Sequence, residues 1–179
     1  LGLMVLCGAV AGALWAAIPA LLKVFTRTNE AISSLLLNYI AGLVITWLCF
    51  EPWKDPMSLG QAYSRELEGV ERFPVIWGNR VHAGIFVAVV AALVLWAVLR
   101  YSTWGFTLRV LGGNPAAAHR AGPAVGGLST AAMVVGGAMA GIGGMVEVAG
   151  TEGRLRHDLL AGVGFIGFLV SWLARHDPL

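Results

Sequence analysis

A regular polar stripe lies within one of the most apolar stretches of the sequence. Glu30, Ser34, Asn38 and Gly42 recur at every fourth residue, so on an α-helix they share one slowly drifting face. Carboxylate, hydroxyl and amide groups can exchange hydrogen bonds with a polar solute that moves along such a face. They can equally hold neighbouring membrane helices together, because polar groups in lipid need partners. Residue type and spacing leave both interpretations open, a translocation pathway and interhelical hydrogen bonding.

A second candidate surface is the basic segment 100–122, which contains three arginines and no acidic residue. Asn114 is a favourable N-cap residue and Pro115 a favourable first helical residue. Gly122 is suited to end a helix in the left-handed conformation. These signals predict a short helix within the segment, which serves either to dock a partner protein or as an ordinary connector between two membrane helices.

The groups that catalysis or metal binding would need are not present as recognisable sets. The sequence has no GxxxxGK phosphate-binding loop and no GxSxG nucleophile elbow. Its four histidines are scattered, and Cys7 and Cys49 stand alone in apolar stretches. The net charge of +2, without a basic and aromatic cluster, gives no reason to expect a nucleic acid partner. We predict no catalytic residue, no metal site and no cofactor, and therefore no enzyme.

The elements that position these residues are membrane helices. Hydrophobic residues make up 58% of the chain and charged residues 12%, whereas soluble domains carry roughly 25% charged residues. Four apolar stretches reach the about 20 residues that one crossing requires, namely residues 1–22, 31–50, 81–99 and 123–149. A fifth stretch, residues 159–174, is short and interrupted by glycines, which suits a re-entrant helix. The expected fold is an all-α polytopic membrane bundle with four to five membrane segments.

The distribution of lysine and arginine predicts the orientation of the bundle. Basic residues concentrate in short cytoplasmic loops, and here they flank the first turn (Lys23 and Arg27) and occupy segment 100–122. Residues 51–80 mix both signs of charge over a long segment and are expected to form an external loop. Because the sequence opens inside an apolar run without a leading methionine, we expect residues 1–179 to be part of a single transmembrane domain of a larger protein.

The fourth apolar stretch is rich in glycine. Gly137 and Gly141 have the small-xxx-small spacing that lets two helix backbones approach closely, so we predict that they pack against another helix. Residues 137–141 (Gly-Ala-Met-Ala-Gly) also echo residues 8–12 (Gly-Ala-Val-Ala-Gly) in the first stretch. The echo is consistent with an inverted repeat, which places a pathway at the repeat interface in many transporters, and also with the general abundance of glycine and alanine in membrane helices.

Segment 105–122 resembles a cytoplasmic-loop motif of ABC-importer permeases for simple sugars and nucleosides, in the superfamily that includes branched-chain amino-acid permeases. The matching positions are Gly105, Phe106, Leu108, Arg109, Gly113, Asn114, Pro115, Ala117, Ala118, Ala121 and Gly122. The first two spans and residues 162–178 are also similar to this family. The last of these regions departs from the family pattern at Val163, Phe168, Trp172 and Ala174.

The resemblance implies a permease subunit of the cytoplasmic (inner) membrane that imports a nucleoside or simple sugar. Its implied partners are ABC ATPase subunits, a second permease subunit, an extracytoplasmic substrate-binding protein and the lipid bilayer. The ATPase contact would involve Arg109, Gly113, Asn114, Pro115, Ala117, Ala118 and Arg120, and the translocation pathway Glu30, Ser34, Asn38 and Phe165. The residues alone also allow an ion-coupled secondary transporter, a channel subunit, or a scaffold without a pathway.

Overall fold

The described part of the chain is almost entirely helical, with one short two-stranded ladder. A computed structural model describes residues 1–26, 28–57, 60, 63–69, 71–77, 81–113, 125–156 and 163–173. The elements are α1 (Gly2–Thr26), α2 (Glu30–Phe50), β1 (Val75–Trp77), β2 (Val81–His82), α3 (Gly84–Tyr101), α4 (Thr103–Gly113), α5 (Val125–Glu147), a π-helical turn (Val148–Glu152) and α6 (Val163–Leu173).

Four helical segments in the described part of the chain are long and apolar enough to cross a membrane: Gly2–Thr26, Glu30–Phe50, Gly84–Tyr101 and Gly126–Glu152. Large apolar side chains such as Leu3, Phe25 and Leu43 point outward from them. An apolar exterior on this scale suits lipid rather than water as the surrounding medium. The predicted all-α polytopic membrane bundle is therefore confirmed.

The third and fifth predicted segments differ from the observed helices in ways that have a structural reason or consequence. The third helix begins at Gly84 rather than at residue 81, because Val81 and His82 pair with β1 in a short antiparallel ladder. His82 Nδ1 then accepts the Gly84 N–H at 3.2 Å, which satisfies one of the free donors at the start of α3. The fifth segment contains the 11-residue α6, about 16 Å long, or roughly half the thickness of a bilayer core.

The closest helix packing joins α1 to α5, which run antiparallel. Gly8, Gly12 and Ala16 of α1 face Gly137 and Gly141 of α5, and we call these five residues the glycine seam. A Cβ atom built on Gly137 would lie 2.5 Å from the carbonyl oxygen of Gly12, and one on Gly8 would lie 3.0 Å from that of Gly141. The two backbones thus approach to a distance that side chains would prevent.

The glycine seam joins the two echoed sequences to each other. Gly8 contacts Gly141 and Gly12 contacts Gly137. A local two-fold rotation that places Gly8 on Gly137 therefore also places Gly12 on Gly141. Because backbone atoms fill the space between the two copies, no solute path runs between them at this level.

The described residues of the α2–α3 connection (51–57, 60, 63–69, 71–77 and 81–83) lie over the end of α5. Three of its backbone N–H groups donate across to the π-helical turn and the residues after it: Phe73 to the Ala149 carbonyl at 3.0 Å, Leu67 to that of Gly153 at 2.8 Å, and Ser64 to that of Leu155 at 3.0 Å. We call this the connection end of the bundle.

Gly153 makes that arrangement possible. Its φ of 70° lies in the left-handed region, which glycine adopts without steric cost. The guanidinium group of Arg72 also occupies the place that a Cβ atom would take. Arg72 is held in turn by Glu66, with Nη1 and Oε1 3.4 Å apart.

We expect Gly141→Ala to destabilise the full-length protein by about 1–3 kcal/mol, the usual cost of forcing extra volume into a packed interface. Gly143→Ala is the matched control, since a Cβ atom there meets nothing within 4 Å. Thermal unfolding in detergent should show a lower midpoint for Gly141→Ala and an unchanged one for Gly143→Ala. Equal midpoints for the two variants would contradict the close contact of the glycine seam.

Candidate functional site

Helix α4 leaves α3 through a sharp turn at Ser102. The Ser102 hydroxyl accepts the Gly105 N–H at 3.0 Å, and its carbonyl accepts the Phe106 N–H at 3.1 Å, so Ser102 acts as the N-cap of α4. A Cβ atom on Gly105 would lie 2.6 Å from the Cα atom of Leu99. Glycine at position 105 is thus what permits α4 to fold back against the end of α3.

Helix α4 was not predicted from the sequence. The N-cap and proline signals predicted a helix only from Asn114 onward, with residues 103–113 in a loop. Ser102 is the sequence signal that could have located α4, because serine is a good N-cap residue. The residues that follow it, 103–113, contain glycine but no proline.

Two of the predicted ATPase-contact residues lie on α4. Arg109 and Gly113 are exposed, and at helical spacing they share a face with the exposed Phe106. The remaining members of that set, and the short helix predicted around them, fall within residues 114–124, outside the described part of the chain. These members are Asn114, Pro115, Ala117, Ala118 and Arg120.

Three helix ends meet at one lysine. Lys23 lies in the last turn of α1, and its Nζ is 2.5 Å from Glu30 Oε2 in the first turn of α2. The same Nζ donates to Ser129 Oγ of α5 at 3.0 Å. We call Lys23, Glu30 and Ser129 the polar clamp, and this side of the bundle the clamp end.

Sequence reasoning used Lys23 only to orient the chain and assigned Glu30 to a pathway. Its link to Ser129, 106 residues away, has no local sequence signal. The positions of the two charges do have a local sequence signal. A basic residue in the last turn of a helix and an acidic residue in the first turn both interact favourably with the helix dipole.

Ser34 and Asn38 lie on a face of α2 that remains exposed. Ser34 Oγ donates to the Ala31 carbonyl of its own helix at 3.1 Å. The neighbouring Ser33 is the buried one, 7% exposed, and donates to the Asn29 carbonyl at 2.9 Å. Asn38 lies about 12 Å along the axis from the start of α2, well inside the apolar segment.

The structure does not bring all four predicted pathway residues together. Glu30 is turned toward Lys23, whereas Ser34 and Asn38 follow the exposed face of α2. Phe165 lies in α6, and its side chain is outside the described part of the structure. The stripe is therefore one face of α2, and its single carboxylate, that of Glu30, is paired with Lys23.

A crevice of about 280 Å³ separates α3 from α5. The side chains that line it are all apolar, so it suits an apolar group better than a polar solute. Ala88, Ala92, Met139, Gly143 and Val146 are among the residues that line it. Sequence analysis gave no indication of this crevice.

Metal ligands do not cluster in the described ranges. Among those residues no group of three histidine, cysteine, aspartate or glutamate side chains could hold a metal ion.

Comparison with known proteins gives a family and several relatives. Residues 1–177 match the family described as the permease component of the branched-chain amino acid transport system. A glucose ABC transporter permease protein of Haloferax volcanii is 34% identical over 191 residues, covering 100% of this chain and 50% of the relative. A guanosine ABC transporter permease protein of Bacillus subtilis is also 34% identical, covering 100% of this chain and 52% of the relative.

A nucleoside ABC transporter permease protein of Lactococcus lactis is 26% identical over 186 residues, covering 99% of this chain and 51% of the relative. The chain therefore spans about half the length of these curated relatives. No solved structure gave a significant match. With a family match over residues 1–177 and four helices able to span a membrane, the chain belongs to the family of branched-chain amino acid transport system permease components.

Proposed function

We propose that this chain forms part of the membrane-spanning subunit of an ATP-driven importer that carries a nucleoside or a simple sugar across the cytoplasmic membrane. The observation that carries the proposal is the similarity to glucose, guanosine and nucleoside ABC transporter permease proteins over 99–100% of this chain. ATP hydrolysis would take place on separate ATPase subunits. A second permease subunit and an extracytoplasmic binding protein would complete the transporter.

In this proposal the clamp end faces the cytoplasm and the connection end faces outward. Arginine and lysine support this orientation, because Lys23 and Arg100 lie in the last turns of α1 and α3 and Arg109 lies on α4, all on the clamp side. The α2–α3 connection then forms an external surface next to the π-helical turn, where an extracytoplasmic protein could reach it.

The ATPase would dock on the exposed face of α4 and on the residues that follow it. Arg109 and Gly113 lie on that face, and Asn114, Pro115, Ala117, Ala118 and Arg120 continue the chain toward α5. Gly105 supports this role indirectly, since the close approach to Leu99 fixes the direction in which α4 projects.

The exposed stripe of α2 is the best candidate for a pathway lining. A hydroxyl and an amide at membrane depth are unfavourable against lipid, so Ser34 and Asn38 would face a hydrated cavity once the transporter is assembled. Sugars and nucleosides carry many hydroxyl groups, which such side chains can bind. Phe165 of α6 would contribute an aromatic surface for a base or a sugar ring.

A coupled ATPase distinguishes this proposal from an ion-coupled secondary transporter or channel. The curated relatives quoted above are all ABC transporter permease proteins, which favours the ATP-driven mechanism. Within it, Glu30 does not need to contact the solute, because its carboxylate is already engaged by Lys23.

We expect Ala117→Arg to abolish co-purification of the ATPase with the tagged full-length permease, because a bulky charge would block a close-packed docking surface. Ala116→Arg adds the same charge at a neighbouring position that is not among the matched motif residues and should retain the ATPase. Quantitative pull-down in detergent measures both. Retention by Ala117→Arg at the level of wild type would remove position 117 from the docking surface.

For the pathway, we expect Ser34→Ala and Asn38→Leu to reduce uptake of radiolabelled guanosine or glucose without lowering the unfolding temperature. Ser33→Ala makes the same chemical change one residue away, on the buried face, and should leave uptake intact. Initial uptake rates and thermal unfolding of the same preparations test this. If the two exposed variants lose stability instead of uptake, the stripe holds helices together rather than lining a pathway.

A further inference from the structure

We propose that the polar clamp transmits movement of the docking segment to the pathway helix α2, with Lys23 as the positioning residue that joins them. This inference rests on the function proposed above and extends it to residues that no docking or pathway prediction had linked. Lys23 is the shared partner of two groups on different helices, Glu30 Oε2 at 2.5 Å and Ser129 Oγ at 3.0 Å.

Ser129 lies close to the start of α5. The helix begins at Val125, a few residues after the proposed docking residues 109–120, and Ser129 is its fifth residue. Because a helix is stiff over so short a distance, a displacement of the start of α5 also displaces Ser129. The hydrogen bond from Lys23 ties that displacement to the end of α1.

The second step is the rigidity of α1 relative to α5. Backbone contact at Gly8, Gly12, Gly137 and Gly141 leaves no compressible side-chain layer between these two helices. Closely packed elements change position as units rather than deform continuously. Helices α1 and α5 therefore move together where the seam joins them, and the hydrogen bond from Lys23 to Ser129 extends this attachment to the clamp end.

The third step is the weaker attachment of α2. It packs against α1 much less extensively than α5 does, and the ion pair between Lys23 and Glu30 joins it to α1 at the clamp end. Glu30 also begins the face that continues through Ser34 and Asn38. Movement of Lys23 thus acts directly on the helix that carries the proposed pathway lining.

The ion pair is suited to rearrangement during a cycle. The Lys23 and Glu30 side chains are 36% and 47% exposed, and water screens an ion pair that is this accessible, which keeps it weak. It can therefore break and re-form as the helices move. The favourable position of each charge relative to its own helix dipole orients both side chains for the return to the same contact.

Variants can separate the two arms of the clamp. Lys23→Met removes both contacts, Ser129→Ala removes only the arm to α5, and Glu30→Gln removes only the charge on α2. Lys23→Arg retains a cation. Thr28→Ala is the matched control in the same interhelical link, because Thr28 contacts Thr26 rather than α5.

The experiment uses the full-length permease reconstituted in liposomes with its ATPase and binding protein. In each sample we would measure the ATP hydrolysed, the radiolabelled guanosine or glucose transported, and the ATPase retained by the tagged permease. The expected result is that Lys23→Met and Ser129→Ala move about fivefold less substrate per ATP, the lower end of the usual range for coupling between sites. Retained ATPase should be unchanged, and Lys23→Arg and Thr28→Ala should match wild type.

Each of the remaining outcomes would contradict the proposed coupling or a part of it. If wild type and all variants transport the same amount per ATP while retaining the ATPase, the clamp does not couple, although the proposed function stands. If Lys23→Met and Glu30→Gln lose coupling but Ser129→Ala does not, the arm to α5 is wrong. If wild type retains no ATPase, the proposed function fails and this inference with it. Should Lys23→Met not fold, Ser129→Ala, which removes a single hydroxyl, carries the test.

Discussion

Close contact between the backbones of α1 and α5 is the constraint on which the rest of this structure depends. In lipid, helices gain little from burying apolar side chains, since the surrounding chains are equally apolar. Association relies instead on close packing, and Gly8, Gly12, Gly137 and Gly141 permit it by carrying no side chain. Because the contacts repeat every fourth residue on both helices, they fix the register as well as the distance. Helix α2 packs on α1, and helix α3 packs on α5.

The seam also determines what its two ends can do. At one end α5 continues into a π-helical turn that receives backbone hydrogen bonds from the α2–α3 connection. At the other end its first turns reach the Lys23 ammonium group, which also holds α2 through Glu30. Helix α5 is thus a single element with polar attachments at both ends and an apolar, closely packed middle.

The elements were largely predictable because a membrane span needs about 20 apolar residues whatever its neighbours are. The four spans follow from that requirement alone. The boundary at Gly84 was missed because β1 captures Val81 and His82, and pairing across a turn leaves little trace in local composition. Helix α4 was missed because its start depends on the fit of Gly105 against Leu99.

By itself the sequence determined the membrane class, the number of long spans, the small-residue spacing in α5 and the polar stripe on α2, since each depends on composition or helical periodicity within one segment. Only the tertiary structure decided that the two glycine motifs pack against each other, that Ser33 rather than Ser34 is buried, and that Glu30 is held by Lys23. These facts depend on which helices become neighbours and on the rotation of each about its axis. Periodicity shows that a face exists, but contact between residues as far apart as Lys23 and Ser129 determines what that face meets.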